Sequence, residues 1–286
     1  SVAQAGESGT DVLQSVTPTV SATTDGQCAR GRRRRIAARV GGRRRAARPD
    51  RWHSERVLTE ESVRAALAGF DRTTEDRPDL RAAAVAITLV TTGGSSGGDT
   101  GGDTGGGTDG GDADRSTVQV LLTRRAPKLR THAGQWALPG GRVDAGESVV
   151  TAARRELAEE LGLELPESAV LGRLDDYSTR SGFVISPVVL WAGPVHAGGT
   201  DRPGDRALHP RRGEVAAVYG IPLDQLDVEP IFVSIPESDA PVIRLPLMGR
   251  FVHAPTGAVL YQFRELVLHG RATRVGHLEQ PVFAWR

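Results

Sequence analysis

The stretch from Gly140 to Leu163, GGRVDAGESVVTAARRELAEELGL, restricts the fold more than any other part of the chain. Its first part is rich in glycine and tipped with acids, so it turns. Its second part has helical spacing and carries Glu156, Glu159 and Glu160. A helix rotates about 100° per residue, so positions i, i+3 and i+4 share one narrow face. Three carboxylates on that face repel one another and weaken a purely structural helix. A divalent cation among them removes the conflict, and hard oxygen ligands suit Mg²⁺ or Mn²⁺. Leu157 and Leu161 lie on a neighbouring stripe expected to be core.

How much of the chain can pack around this unit is set by composition. Of 286 residues only 38% are hydrophobic and 35 are glycine, so a sizeable part is not packed core. The net charge of +1 hides an asymmetry: eleven arginines against Asp50 place +10 in residues 30–51, residues 1–29 carry −3, and 52–286 are left with −6. Residues 1–55 read as a disordered, arginine-rich tail, and residues 56–286 as a single domain. Phosphate neutralisation would make residues 30–51 a nucleic-acid tether, but no aromatic residue interleaves the arginines to stack on bases. A solvated tail is the plainer reading. One cysteine, Cys28, rules out an internal disulfide or a thiolate cluster and fits a reducing compartment. No apolar run approaches the roughly 18 residues of a membrane span, and no signal-peptide pattern is present. A cytoplasmic protein with no membrane partner is expected.

Taken in order, TEESVRAALAGF after Leu58 reads as a helix capped by Thr59 and ended by Gly69. The apolar run 81–90 reads as a buried strand. Residues 91–116, low-complexity and dominated by Gly, Thr, Asp and Ser, are expected to form a flexible insertion between that strand and a second at 117–123. A polar, basic connection, 124–135, leads into WALPGG, where Pro139 and the glycines force a turn. Strands are expected at 170–177, 183–191 and 214–221, with a loop at 197–212. A short helix comes next, with Pro222 at its first position. A hairpin over 242–245 and 249–253, then a helix over 261–269, complete the set. Strands with helices on both sides imply a mixed α/β sandwich.

Gly141, Glu147, Arg155, Glu156, Leu157, Glu159, Glu160, Gly162 and Leu163 fill the pattern G-x₅-E-x₇-R-E-U-x-E-E-x-G-U, where U is aliphatic. This is the Nudix box, and the chain resembles a Nudix hydrolase. The resemblance implies a Nudix-type α/β/α sandwich with a mixed sheet. It implies that Glu156, Glu159, Glu160 and the Gly141 carbonyl hold one or more Mg²⁺ or Mn²⁺ ions that grip a diphosphate. Glu159 or Glu160 serves as base in that scheme. Arg155 and Glu147 belong to the catalytic candidates too: Arg155 sits beside the acid face and can pair with Glu147, pinning the loop to the helix, so a structural role stands beside direct chemistry for both.

Upstream, LLTRRAPKLRTHAGQWALPGG resembles the signature of coenzyme A pyrophosphatases at Leu121, Leu122, Thr123, Arg125, Leu129, Arg130, His132, Gly134, Pro139, Gly140 and Gly141. That family usually has Phe where this chain has Leu138, an exchange of one apolar residue for another. Residues 175–189 resemble the stretch downstream of the box in the same family. The resemblance covers roughly 81–286 and leaves 1–55 unexplained. It implies hydrolysis of coenzyme A or acyl-CoA to 3′,5′-ADP and 4′-phosphopantetheine. The 3′-phosphate calls for cations beyond the metal, and Arg125, Arg130, His132 and Arg180 are the candidates, with Lys128 beside them. ADP-ribose, a dinucleotide or a nucleoside triphosphate are the rival substrates. Oligomeric state is left open.

Overall fold

In the computed structural model, the structure describes residues 13–15, 58–92, 117–127, 134–196 and 206–285. The arginine-rich tract 30–51, most of the glycine-rich insertion, and Lys128, Arg130 and His132 lie outside the described residues.

In chain order the elements are β1 (Leu13–Ser15), α1 (Glu60–Ala68), β2 (Arg81–Thr92), β3 (Thr117–Arg125), β4 (Trp136–Ala137), β5 (Gly140–Arg142) and α2 (Val149–Leu161). Next come β6 (Val170–Arg173), β7 (Tyr177–Ser178), β8 (Phe183–His196), β9 (Arg206–Ala207), β10 (Val215–Pro222) and α3 (Leu223–Leu226). The chain ends with β11 (Ile231–Ile235), β12 (Ser238–Leu247), β13 (Arg250–His253) and α4 (Thr256–His269).

The large mixed sheet runs β1-β10-β3-β2-β8-β6, with short strands β4, β5, β7 and β9 added on β3, β2 and β8. β2 pairs antiparallel with β3, so the insertion joins two neighbouring strands, and it pairs parallel with β8. Residues of β2 reach both faces, which is why its sequence is almost continuously apolar. Ala84, Ala86 and Val90 pack with Ala152, Ala153, Leu157 and Leu161 of α2. Ile87 and Leu89 point the other way, into a cluster with Val63 and Leu67 of α1, Leu223 of α3 and Phe263 of α4. Helices therefore cover both faces of a mixed sheet. β11, β12 and β13 form a second, three-stranded sheet. It is held to the first by a cluster of Tyr177, Ile243, Ala254, Ala258, Val275 and Leu278.

Local chemistry sets the ends of the elements. Thr59 and Ser62 form a reciprocal capping box on α1, and Gly69 closes it, as the sequence predicts. Ser148 caps α2 through the Thr151 amide, and Gly162, at φ 68°, ends it.

Some expectations need correction. The strand expected over 170–177 is broken into β6 and β7, because Asp175 and Asp176 are buried between them and bond elsewhere. Asp175 takes the Thr73 amide, Gln262 and Arg274; Asp176 takes Arg72, the Glu75 amide and Ser186. Pro222 is the cap residue before α3 and not its first residue. Residues 206–207 are strand within the expected loop 197–212, and β2 continues two residues into the expected insertion. α4 begins five residues before Tyr261, and β11 is a strand beyond those expected.

Candidate active site

The acid-bearing helix is anchored at both ends. Its apolar stripe, Ala152, Ala153, Leu157 and Leu161, is fully buried against the sheet, and this turns the glutamates toward the β5 loop. At the far end the His209 amide donates to the Leu161 carbonyl at 2.7 Å and the Arg211 amide to the Glu160 carbonyl at 2.9 Å. Carbonyls that a helix end leaves open are thereby satisfied. A side chain at Gly162 would meet the His209 Cβ at 2.8 Å, so the close seating of that loop needs glycine.

Arg155 joins the loop to the helix. Its Nε and Nη2 donate to the two carboxylate oxygens of Glu147 at 3.0 and 3.1 Å. Its Nη2 also donates to the Arg142 carbonyl at 2.9 Å, and its Nη1 to Glu156 at 2.9 Å and, more loosely, Glu159 at 3.4 Å. The bond to Arg155, with the Asp144 amide, holds the Glu147 carboxyl below its ordinary range. Glu147 and Arg155 are thus paired, joining the loop to the helix.

The three helix glutamates differ in setting. Glu159 is about half exposed, with 47% of its side chain accessible, whereas Glu156 is largely covered and Glu160 is buried. Burial pushes the Glu160 carboxyl up to about 7, opposed by the charge of Arg125 and the Gly140 amide and reinforced by Glu156 and Glu214. Burial also raises Glu156, against the pull of Arg155. Glu214, outside the box, is therefore electrostatically part of the acid face. A Cβ on Gly141 would collide with the Glu156 carboxylate, and one on Gly140 with Val85. Both glycines are required by close approach. Among the described residues no three carboxylates or imidazoles stand gathered enough to enclose an ion as placed. Arg155 holds Glu156 and Glu159 on its own side.

Next to β5 lies a cavity of about 910 Å³. Its floor is Ala83, Val85, Leu138 and Ile185, and its walls carry Trp136, Phe183, Phe251 and Phe283. Arg81, Arg125, Arg142 and Arg250 line it, and among the described residues none of these four is paired with a carboxylate. Arg125, a candidate from the sequence, stands at the junction of cavity and acid face, and its Nε is buried without a hydrogen-bond partner among the described residues. His253 also lines the cavity; burial, then the charge of Arg244, lowers its pKa and leaves it neutral near pH 7. Arg180 is placed differently from the other candidates. It bonds Glu279 at 2.7 Å, lies over the Trp285 ring at 5.2 Å, and is not part of the cavity lining.

Residues 112–240 match the family described as NUDIX domain. This stretch of the chain is similar to the Nudix domain family. The chain is 39% identical over 110 residues to a protein of Pectobacterium atrosepticum named Uncharacterized Nudix hydrolase NudL, covering 38% of this chain and 52% of that one. A Cronobacter sakazakii protein of the same name is 41% identical over 105 residues, covering 36% and 50%. The chain thus spans about half the length of the curated relatives it matches. Among solved structures, a MutT/nudix family protein from Enterococcus faecalis is 16% identical with a TM-score of 0.38, covering 67% of this chain and 62% of that one. Arg81 and Arg250 of the cavity lie outside the matched Nudix stretch.

The sequence could have offered Arg142, since alternation after Gly141 sends its side chain away from Glu156. Arg250, Phe251 and Phe283 gave no comparable signal. They reach the cavity only through the second sheet and the C-terminal segment.

Proposed function

We propose that this Nudix domain hydrolyses the diphosphate linkage of a nucleoside diphosphate derivative, and that its substrate is coenzyme A or an acyl-CoA. The observation that carries the reading is the meeting of a carboxylate helix face with an arginine-lined cavity, Arg125 standing at the junction. The coenzyme A part is supported by the upstream residues Leu121 to Gly141 and by the surplus of unpaired cations in the cavity.

The residues fit a divalent cation. Glu156, Glu159 and Glu160 are hard oxygen donors, and the buried Glu160, already pushed up to about 7, is the kind of carboxylate that an added positive charge returns to its ionised form. The Gly141 carbonyl completes the donor set. A bound Mg²⁺ or Mn²⁺ supplies neutralisation of the diphosphate and a lowered pKa for the attacking water. The chain's own groups do the rest. Arg125 donates to phosphate oxygens with a guanidinium that no acid among the described residues occupies. Arg155 fixes the β5 loop against α2. The water oxygen bonds to one phosphorus, the bridging P–O bond breaks, and the proton passes to Glu159 or Glu160. Products are 3′,5′-ADP and 4′-phosphopantetheine.

Product identification with coenzyme A, ADP-ribose and a dinucleotide side by side, in Mg²⁺ or Mn²⁺, tests the reading. Formation of 3′,5′-ADP from coenzyme A in preference to the others is expected. Turnover of ADP-ribose or the dinucleotide alone removes the coenzyme A assignment, and turnover of none removes the diphosphatase.

A further inference from the structure

The cavity holds more positive charge than a diphosphate needs, and it is divided between two places. Arg125 faces the acid helix. Arg81, Arg142 and Arg250 line the same cavity on strands away from that helix. Strand register explains the first two. Arg142 of β5 lies opposite Ala83 of β2, and Arg81 of β2 lies opposite Phe183 of β8. Residues 81 and 83 share a face of β2, so both guanidiniums emerge together over a floor kept low by Ala83. They flank a single ring, at 4.2 and 5.7 Å from the Phe183 centroid. The Cβ direction of Gly141 points at Glu156, so the neighbouring Arg142 side chain departs on the opposite face. Arg250 comes from the start of β13, on the far side of the cavity.

Other arginines of the fold, Arg72, Arg155, Arg180, Arg264 and Arg271 among them, each contact a carboxylate. Two guanidiniums side by side over Phe183, with a third lining the cavity across from them, repel one another unless an anion joins them. Guanidinium groups are the cations best shaped to bind phosphate oxygens in pairs.

We propose that Arg81, Arg142 and Arg250 form a second anion subsite, which takes a phosphate monoester that the substrate carries beyond its diphosphate and thereby selects a 3′-phosphorylated nucleotide. The assignment rests on the coenzyme A reading for its place in catalysis, but the subsite itself is testable by binding alone.

Calorimetric titration of the full chain with adenosine 3′,5′-bisphosphate and with AMP measures it directly. The bisphosphate is expected to bind at least about tenfold tighter, the scale of one or two charge-assisted hydrogen bonds. That advantage should shrink as salt is raised, because the three residues are exposed to solvent on the wall. In the double variant Arg142→Gln/Arg250→Gln the advantage should fall to about twofold or less, while Arg173→Gln, which removes an exposed charge outside the cavity lining, should keep it. Hydrolysis assays run in parallel compare coenzyme A with its 3′-dephosphorylated form, and the same ratio should collapse in the double variant. Equal binding of bisphosphate and AMP, or a preference that survives the double variant, overturns the subsite. A retained bisphosphate preference with no coenzyme A turnover leaves the subsite standing and removes the coenzyme A reading; turnover of both forms at equal rates does the reverse.

Discussion

At the scale of single residues, the roles of Glu160 and Arg155 separate cleanly. Glu160 is buried, faces Arg125 and the Gly140 amide, and makes no ion pair with Arg155, whereas Arg155 is committed to Glu147, Glu156 and the Arg142 carbonyl. Glu160→Gln keeps the shape and removes the charge. Turnover is expected to fall by about 10² to 10⁴-fold. In thermal melts, the stabilisation that Mg²⁺ or Mn²⁺ gives the wild-type chain should largely disappear. A variant that keeps both would mean the ion sits elsewhere. Arg155→Lys probes support and not chemistry. An ammonium cannot serve both Glu147 oxygens and a carbonyl at once, so activity should drop about 10- to 100-fold through a displaced loop. These residues are legible in the sequence because their spacing is helical and their repulsion asks for a cause. Arg81 and Arg250 are not, since an isolated arginine in a strand looks the same whether it meets solvent or a ligand.

At the scale of elements, α2 is readable from the helical spacing of its glutamates and of Leu157 and Leu161, both fully buried. Its cap, its apolar stripe and its closing glycine all agree, and such local consistency is what sequence patterns report. β6 and β7 read as one strand for the converse reason. Asp175 and Asp176 find their partners at Thr73, Gln262 and Arg274 and at Arg72 and Ser186, most of them far away in sequence, and no local pattern announces that. The two left-handed helix ends offer a test of how closely α2 is seated. Gly162 and Gly270 have nearly the same φ, 68° and 65°, but an added Cβ meets His209 at the first and nothing at the second. Gly270→Ala should cost about 1 kcal/mol, the strain of a left-handed alanine. Gly162→Ala should cost about 1–2 kcal/mol more, because the loop that caps the Leu161 and Glu160 carbonyls must move. Urea unfolding of the two variants measures the difference, and equal losses would show the loop to be loosely held.

At the scale of the whole molecule, the cavity is closed by parts of the chain that meet late. Gln280 and Phe283 of the C-terminal segment line it, and that segment is tied down through Glu279. The Glu279 carboxylate accepts from Arg180, from Ser238 and from the Gln280 amide, and the Tyr177 hydroxyl donates to the neighbouring Leu278 carbonyl. Arg180, a substrate candidate by sequence, therefore has a structural partner that joins the β7–β8 turn to the C-terminus. Burial works to raise the Glu279 pKa, but Arg180, the Gln280 amide and Ser238 together hold it below the usual glutamate value. A carboxyl depressed in the folded state stabilises the fold above its unfolded pKa of about 4.3, and that contribution is lost as pH falls through the lower, folded value. Glu279→Gln should thus be less stable than wild type by about 1–2 kcal/mol at pH 7. The gap should close as pH falls through the lowered folded-state pKa of Glu279, below which the wild-type carboxyl is also neutral. Urea midpoints of both proteins measured from neutral pH down to that value give the comparison, and a gap that stays constant across the range would show Glu279 to act by shape and not by charge. Because the same segment carries Phe283 and Gln280 into the cavity, nucleotide binding should weaken in Glu279→Gln at neutral pH with the acid helix untouched, a coupling from terminus to site that no local stretch of the sequence displays.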